Sequence, residues 1–521
     1  MASPGLVQAL LVPPAMSPRP HRPPPRRLLV GPLVAAALAA CGESPGADSD
    51  ASSPGADAAE SRADAATSPD GPTGPTGPGW VRLIGGADRE VATAMAPLGG
   101  GAVALLGTFN RALDLGPTPV TAPHDGNAFI AGFAADGAVR WVRTLRATDD
   151  PSTTIGPDSP LYPGPPRVDA THLVSDGAGN AFVVGRFLGL LDAGVGAPLR
   201  SGERADLTGA GSSLFVVKLG PTGAPLWAMS PSRVGGDNGE VVAAAVADDG
   251  ALVLAGTAFG GVRFGAVDVA GPGFVVRLGA DGAHLMSRAL PTPLHAAAVT
   301  TGPGGAIYLV GADGLTLDGH VAAGLYALAL DGGGATRWLV GFGGTAAPSA
   351  AVLARPGQPG AHLIVAGEHF GGVDLGAGPW PTATFGDAFV LALAPADGAP
   401  RWHRTLGDGD TQLVTAATLD GPDRVLVTAS FLGQLDFGTG PLRNPERNAH
   451  VAVAALEVAT GAALWAHAVG LGGETAARAV VADQHLWLAG YTYGSIDLGA
   501  GAAAATGSAD AFIGQAGWAW R

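Results

Sequence analysis

Versions of one segment recur from Trp80 to the end of this 521-residue chain. A sequence with such a period folds as an array of like units that bury their apolar faces on one another. The stretch Ala361 to Gly407 displays the unit in full. An apolar run from Leu363 to Gly367 leads to Phe370 and a turn ending at Gly376. A second run, Asp387 to Leu393, passes through Asp397 and Gly398 to Arg401 and Trp402. Short apolar runs punctuated by Gly, Asp and Pro read as strands joined in a meander.

A tryptophan closes successive units at Trp141, Trp227, Trp338, Trp402, Trp465 and either Trp518 or Trp520, with Met286 standing in once. That gives seven units averaging about 63 residues over the 442 from Trp80 to Arg521. An aromatic residue followed by an Asp-Leu-Gly-like turn keeps step with them, at Phe109, Phe187, Phe370, Phe431 and Tyr493. The third unit has Phe259 without the Asp, and the fourth keeps only Leu317 to Gly319. The longest insertions, Arg146 to Pro166 and Gly196 to Ser212, are turn-rich and polar, as surface loops are.

Strands with one solvated face alternate, whereas many of these runs are continuous in Ala, Val and Leu, which calls for sheets covered on both sides. Blades packed radially around an axis meet that demand. The expected fold is all-β: a seven-bladed β-propeller, with six or eight blades as the range of the count. The segment Gly79 to Gly86 has the form of an outermost strand with no unit before it. Pairing it with the last unit, Trp487 to Gln515, would close the ring and leave no open edge. The alternative is that Gly517 to Trp520 supplies that strand.

Ahead of the repeats, Arg19, His21, Arg22, Arg26 and Arg27 precede an apolar run from Leu28 to Ala40, the form of a secretory signal. Thirteen residues are too few for a membrane span, which needs about 20. The run ends in Leu38, Ala39, Ala40 and Cys41, which resembles a bacterial lipobox. The resemblance implies cleavage before Cys41, a diacylglycerol on its thiol, and, with Gly42 and not Asp following, transfer to the outer membrane. Met16 would give a signal of more usual length than Met1. Buried acyl chains contribute about 0.8 kcal/mol per methylene, so several hold a protein on a bilayer. Cys41 is the only cysteine, which leaves no intrachain disulfide. Residues 42–79, rich in Gly, Ala, Ser, Pro and Asp, read as a flexible tether. The expected organisation is a signal over 1–40, a tether over 41–79 and a propeller over 80–521, in an exported protein held at the cell envelope.

The 29 basic and 44 acidic residues give a formal charge of −15, and no basic stripe interrupts the repeats, which argues against nucleic acid as a partner. Removing residues 1–40 deletes four arginines and no acid, taking the charge to −19. The twelve histidines are scattered, and no zinc pattern or nucleophile elbow is present. Lys218, the lone lysine, follows no phosphate-binding loop. The recurring Asp114, Asp192, Asp318, Asp374, Asp436 and Asp497 could form a calcium ring, but acids repeated at one place in each unit read as turn-fixing groups. Asp408 and Asp410 read as a solvated turn. The tryptophans, which follow the period, read as packing between units. No catalytic, metal or cofactor residue is expected.

The apolar runs, the Gly and Phe after them, the Asp-Ala-Phe of Asp387 to Phe389 and the closing tryptophan together resemble the seven-bladed propeller (SBBP) repeats of bacterial exported proteins, across about Trp80 to Arg521. That likeness implies a propeller outside the cytoplasm and no agreed activity. Leu456 to Trp465 also resembles the tryptophan-docking turns of pyrroloquinoline-quinone-type propellers. The expected function is a lipid-anchored, monomeric propeller that binds a protein, glycan or small ligand. The alternatives are a hydrolase or lyase with its site in the central channel, or a scaffold for outer-membrane assembly.

Overall fold

The computed structural model describes residues 79–518 apart from 86–87, 116–119, 123–124, 152–163, 203–210, 235–238, 447, 471–472 and 507–508. Cys41, the signal, the tether up to residue 78, Trp520 and the middle of both long insertions lie outside the described residues.

Residues Ala181 to Val184 are apolar at every position because the two sides of their strand face different cores. Ala181 and Val183 pack with Leu106, Ile130 and Leu145, while Phe182 and Val184 pack with Val241, Leu254 and Phe274. Strand pairing arranges the described residues into seven four-stranded antiparallel meanders. Blade 1 comprises Glu90–Gly99, Ala102–Phe109, Asn127–Phe133 and Val139–Leu145. Blade 2 comprises Arg167–Ser175, Ala181–Leu188, Ser213–Leu219 and Pro225–Met229. Blade 3 comprises Gly239–Val246, Leu252–Ala258, Gly273–Leu278 and His284–Leu290. Blade 4 begins with Ala297–Gly302, Ala306–Gly311 and Leu325–Leu330. The strand Thr336–Ala354 then serves twice, its first half closing blade 4 and its second half opening blade 5. Blade 5 continues with His362–Val373, Asp387–Leu393 and Pro400–Leu406. Blade 6 comprises Gln412–Asp420, Arg424–Phe431, His450–Glu457 and Ala463–Val469. Blade 7 comprises Thr475–Ala482, Leu486–Thr492 and Asp510–Gln515, completed by Trp80–Ile84 from the other end of the fold.

The innermost strands touch in blade order, and that of blade 7 returns to that of blade 1. A separate hydrophobic cluster fills each junction between neighbouring blades, the last joining Ile84, Trp487 and Ile513 of blade 7 to Phe109 and Phe129 of blade 1. The fold is an all-β propeller. The only helical turn among the described residues is the three-residue Pro303–Gly305.

The closing tryptophans work between blades. The Nε1 of Trp141, Trp227, Trp338 and Trp402 donates to the carbonyl of Pro221, Ala280, Pro395 and Val458, each in the next blade's turn, at 3.1, 2.9, 3.1 and 2.8 Å. Beneath three of these rings lies a glycine at positive φ, Gly223, Gly398 or Gly461, where a Cβ would fall 2.5 to 2.8 Å from the indole. Met286 sits on Gly334 in the same way. Trp80, and not Trp518, plays this part for blade 7: its ring covers Gly137 of blade 1 and meets Trp487 edge-on at 5.3 Å. Gly517 and Trp518 follow the strand Asp510–Gln515 and do not replace Trp80–Ile84.

Six of the seven innermost strands carry one extra residue opposite the second strand: Thr93, Thr171, Val242, Ser349, Thr415 and Arg478. A bulge leaves a facing carbonyl without its ladder partner. The hydroxyls of Thr93, Thr171, Ser349 and Thr415 approach the carbonyls of Leu106, Val184, Ala366 and Thr428 at 3.2 to 3.5 Å.

Candidate interaction face

At one end of the ring, here the hairpin end, the second strand of each blade loops to the third and the fourth crosses to the next blade. Small hairpins fill these loops, such as Val262–Phe264 with Val267–Val269 and Gly433–Leu435 with Leu442–Asn444. The recurring acids mostly fix these turns. Asp374 Oδ1 accepts the backbone N–H of Gly376 and Gly378, Asp436 those of Gly438 and Gly440, and Asp497 those of Gly499 and Gly501, all at 2.7 to 3.1 Å; Asp192 accepts that of Gly194 at 2.8 Å. Asp318 departs from the pattern: it pairs with Arg288 and accepts from Thr336 Oγ1 at 2.7 Å. Asp114 lies beside residues outside the description. Asp408 accepts from Gln412 Nε2 at 2.7 Å and from the amides of Asp410 and Gln434. No group of three or more His, Cys, Asp or Glu side chains suited to a metal ion exists among the described residues. Lys218 is buried, 2.9 Å from the Ala280 carbonyl and 3.6 Å from Asp176.

The recurring aromatics separate into two classes. Phe109, Phe187 and Phe431 stand two residues after Gly107, Gly185 and Ala429 and are at most 1% exposed. Phe259, Phe370 and Tyr493 stand three residues after Gly256, Gly367 and Gly490 and are 50%, 37% and 46% exposed. Successive side chains of a strand point to opposite faces, so one added residue turns the ring from the core to solvent. Ala258, His369 and Thr492 fill the vacated buried places. With Phe385 at 61%, these are the exposed large aromatics among the described residues, and all lie at the hairpin end of blades 3, 5 and 7.

One of them, Phe370, meets a carboxylate at the corner between blades 5 and 6. A Cβ on Gly386 would lie 3.1 Å from Glu368 Oε2 and 3.2 Å from the Phe370 ring, and Phe385 is the preceding residue. The Gly386 carbonyl accepts the Gln412 amide of blade 6 at 3.0 Å, tying the corner to Asp408. Burial raises the Glu368 carboxyl above its ordinary value, and no side chain among the described residues offsets it. Burial and the nearby Asp408 charge raise Asp387, whose Oδ1 is buried without a hydrogen bond. Its cross-strand partner His369 is 1% exposed, is bonded at neither ring nitrogen, and rests against Trp380 at 4.8 Å. Burial lowers its pKa to about 4, so the ring is neutral at physiological pH.

Because burial raises Glu368, the folded chain binds its proton more tightly than the unfolded chain. Stability therefore falls as pH rises from 4.5 through the folded value and stays lower above it. Glu368→Gln is expected to melt above the parent at pH 7 and level with it near pH 3.5, measured by circular dichroism. A parent that out-melts the variant at pH 7 would mean that the carboxylate is stabilised by its surroundings.

The channel mouth at this end also carries polar groups, tied within their own blades. In blade 2, Asp169 faces Arg186 at 3.3 Å and Arg167 at 3.6 Å. In blade 7, Tyr491 donates to Glu474 at 2.8 Å beneath Arg478, and burial followed by Glu474 raises the phenol to about 12. His172, on the innermost strand of blade 2, is instead hydrogen-bonded to the backbone of Val242 in blade 3, and burial outweighs that bond and lowers it to about 4.

No family model and no curated protein matches the chain. Solved structures similar to it include a quinohemoprotein alcohol dehydrogenase from Pseudomonas putida HK5, 12% identical over 85% of this chain and 76% of that one, TM-score 0.37. Others are the quinohemoprotein alcohol dehydrogenase from Comamonas testosteroni, 11% over 84% and 77%, TM-score 0.34, and the Pan2 WD40 domain of Neurospora crassa, 9% over 58% and 85%, TM-score 0.29.

Proposed function

We propose that the chain is an exported lipoprotein, anchored to the cell envelope through Cys41, whose propeller presents its hairpin end to a binding partner. The carrying observation is the confinement of the exposed large aromatics to that one end. Aromatic anchors dominate binding surfaces, and their presence at one end of the ring only singles out that end. The basic and then apolar segment ending at Cys41, and the Gly- and Pro-rich stretch after it, support a lipid anchor on a tether, with the outer membrane as its destination. The SBBP-like repeats agree with a place outside the cytoplasm.

Metabolic labelling with an alkynyl palmitate tests the anchor. The parent is expected to carry label and to sediment with membranes; Cys41→Ser should lose the label and appear in the soluble fraction. Undiminished labelling of the variant would refute the anchor. A photo-crosslinking residue at position 385 tests the face, against one at position 178 in a turn at the opposite end. Adducts formed at 385 and not at 178 are expected, and the reverse would overturn the reading.

A further inference from the structure

We infer that the corner between blades 5 and 6 at the hairpin end is a seat for guanidinium groups, and that the partner docks there through an arginine-bearing basic segment. This rests on the reading of the hairpin end as the presenting face and names its occupant. Phe370 and Glu368 stand side by side around Gly386, Phe385 is the residue before it, and the Gly386 carbonyl holds the Gln412 amide, whose side chain bonds Asp408. An aromatic face next to a carboxylate suits a planar cation, which stacks on the ring while its N–H groups bond the oxygens. Here both partners stand ready: the Phe370 ring lies partly in solvent, and Glu368 has no offsetting group among the described residues.

The surrounding charge favours the same occupant. Residues 374–387, 407–411, 432–449, 470–474 and 493–510, the hairpin-end loops of blades 5 to 7, hold nine acidic residues and two arginines. Such a field draws a basic chain toward the corner and repels an anionic lipid surface. A neutral glycan would draw nothing from it. Part of the chain's negative charge thus lies in the same loops as the exposed rings of Phe385 and Tyr493.

The test uses the full chain in detergent with fluorescent octa-arginine, octalysine and octaglutamate peptides and a neutral hexasaccharide, read by anisotropy. Octa-arginine is expected to bind several-fold tighter than octalysine, because only the guanidinium stacks. Added salt should weaken both. Glu368→Gln and Phe385→Ser should each weaken octa-arginine binding about tenfold. Leu285→Ser, on the outer strand of blade 3, should leave it unchanged. Since Glu368→Gln is expected to melt above the parent at pH 7, its loss of binding would not come from unfolding. Equal binding of the two basic peptides, indifference to both corner substitutions, or binding of the hexasaccharide at the corner would overturn the inference. In those cases crosslinking at 385 decides the broader reading separately: adducts there leave the presenting face intact with a different occupant, and their absence removes both.

Discussion

Gly490→Val is expected to destabilise the propeller by at least about 4 kcal/mol, the range reached only when a substitution has no room to relax. Gly490 faces Ala477 on the innermost strand of blade 7, next to the extra residue Arg478. A Cβ there would lie 1.9 Å from the Ala476 carbonyl oxygen. That atom is backbone, in a strand paired on one side and packed against the next blade on the other, so it cannot swing aside as a side chain would. Gly185, Gly256 and Gly367 occupy the same place, each with a carbonyl oxygen of the innermost strand 2.2 Å from the missing Cβ. None of these glycines is at positive φ, so the requirement is space and not an unusual backbone conformation. The bulge pushes the inner strand onto its neighbour, and only a residue without a side chain admits it. Gly177→Ala, with nothing within 4 Å of the new methyl, is the control and should stay within about 0.5 kcal/mol of the parent. Urea midpoints followed by tryptophan fluorescence would measure both. A valine variant with the parental midpoint would mean that the inner strand can withdraw.

Much of this architecture is legible in the sequence because its cause is local and repeated. The continuous apolar runs state that both faces of each sheet are covered, and the spacing of Trp141, Trp227, Trp338, Trp402 and Trp465 marks the blades. The turn role of Asp374, Asp436 and Asp497 follows from the glycines two and four residues on, which supply the amides. What the chain conceals depends on a second strand. A glycine in an apolar run looks the same whether or not a bulge faces it, so the close approach at Gly367 and Gly490 is invisible until the pairing is known. Trp518 closes the last repeat in the sequence as Trp465 does the one before, yet Trp80 takes the seat because Trp80–Ile84, and not the chain after Gln515, pairs with Asp510–Gln515.

The exposed aromatics had a signal that alignment by residue type hides. Phe370 and Phe431 look equivalent as the aromatic before each turn. Counted from the preceding Gly367 and Ala429, they differ by one residue, and that difference decides core or solvent. The same count explains His369, which fills the buried place that a phenyl ring takes in blades 1, 2 and 6. The carboxylates at the corner carry no comparable mark. Glu368 stands where Arg186 and Tyr491 stand in other blades, and only the pairing with the strand Asp387–Leu393 brings Gly386 between it and Phe370.

Ile84→Asp is expected to open the ring at one place before the rest unfolds. Every blade but the seventh is a continuous meander; blade 7 is sealed by Trp80–Ile84, which no turn joins to the strand Asp510–Gln515 that it pairs. Contacts between such distant segments return the least against the entropy of bringing them together, so this seam is the natural first opening. Ile84 is 0% exposed, pairs with Ala511 and fills the cluster between blades 7 and 1. A carboxylate there would have no partner, and burying it costs about 4 kcal/mol or more unless the strand leaves. Leaving exposes the hydrogen-bonding edge of Asp510–Gln515. Hydrogen exchange should then show Trp80–Ile84 and Asp510–Gln515 losing protection together while blades 2 to 5 keep theirs. Val469→Asp, at the end of the fourth strand of blade 6, buries a similar charge in a strand that a turn holds to its sheet. It should lower stability without releasing the blade 7 seam. Protection lost evenly across all blades in Ile84→Asp would mean that the ring unfolds as one unit and that the paired chain ends are no weaker than any other junction.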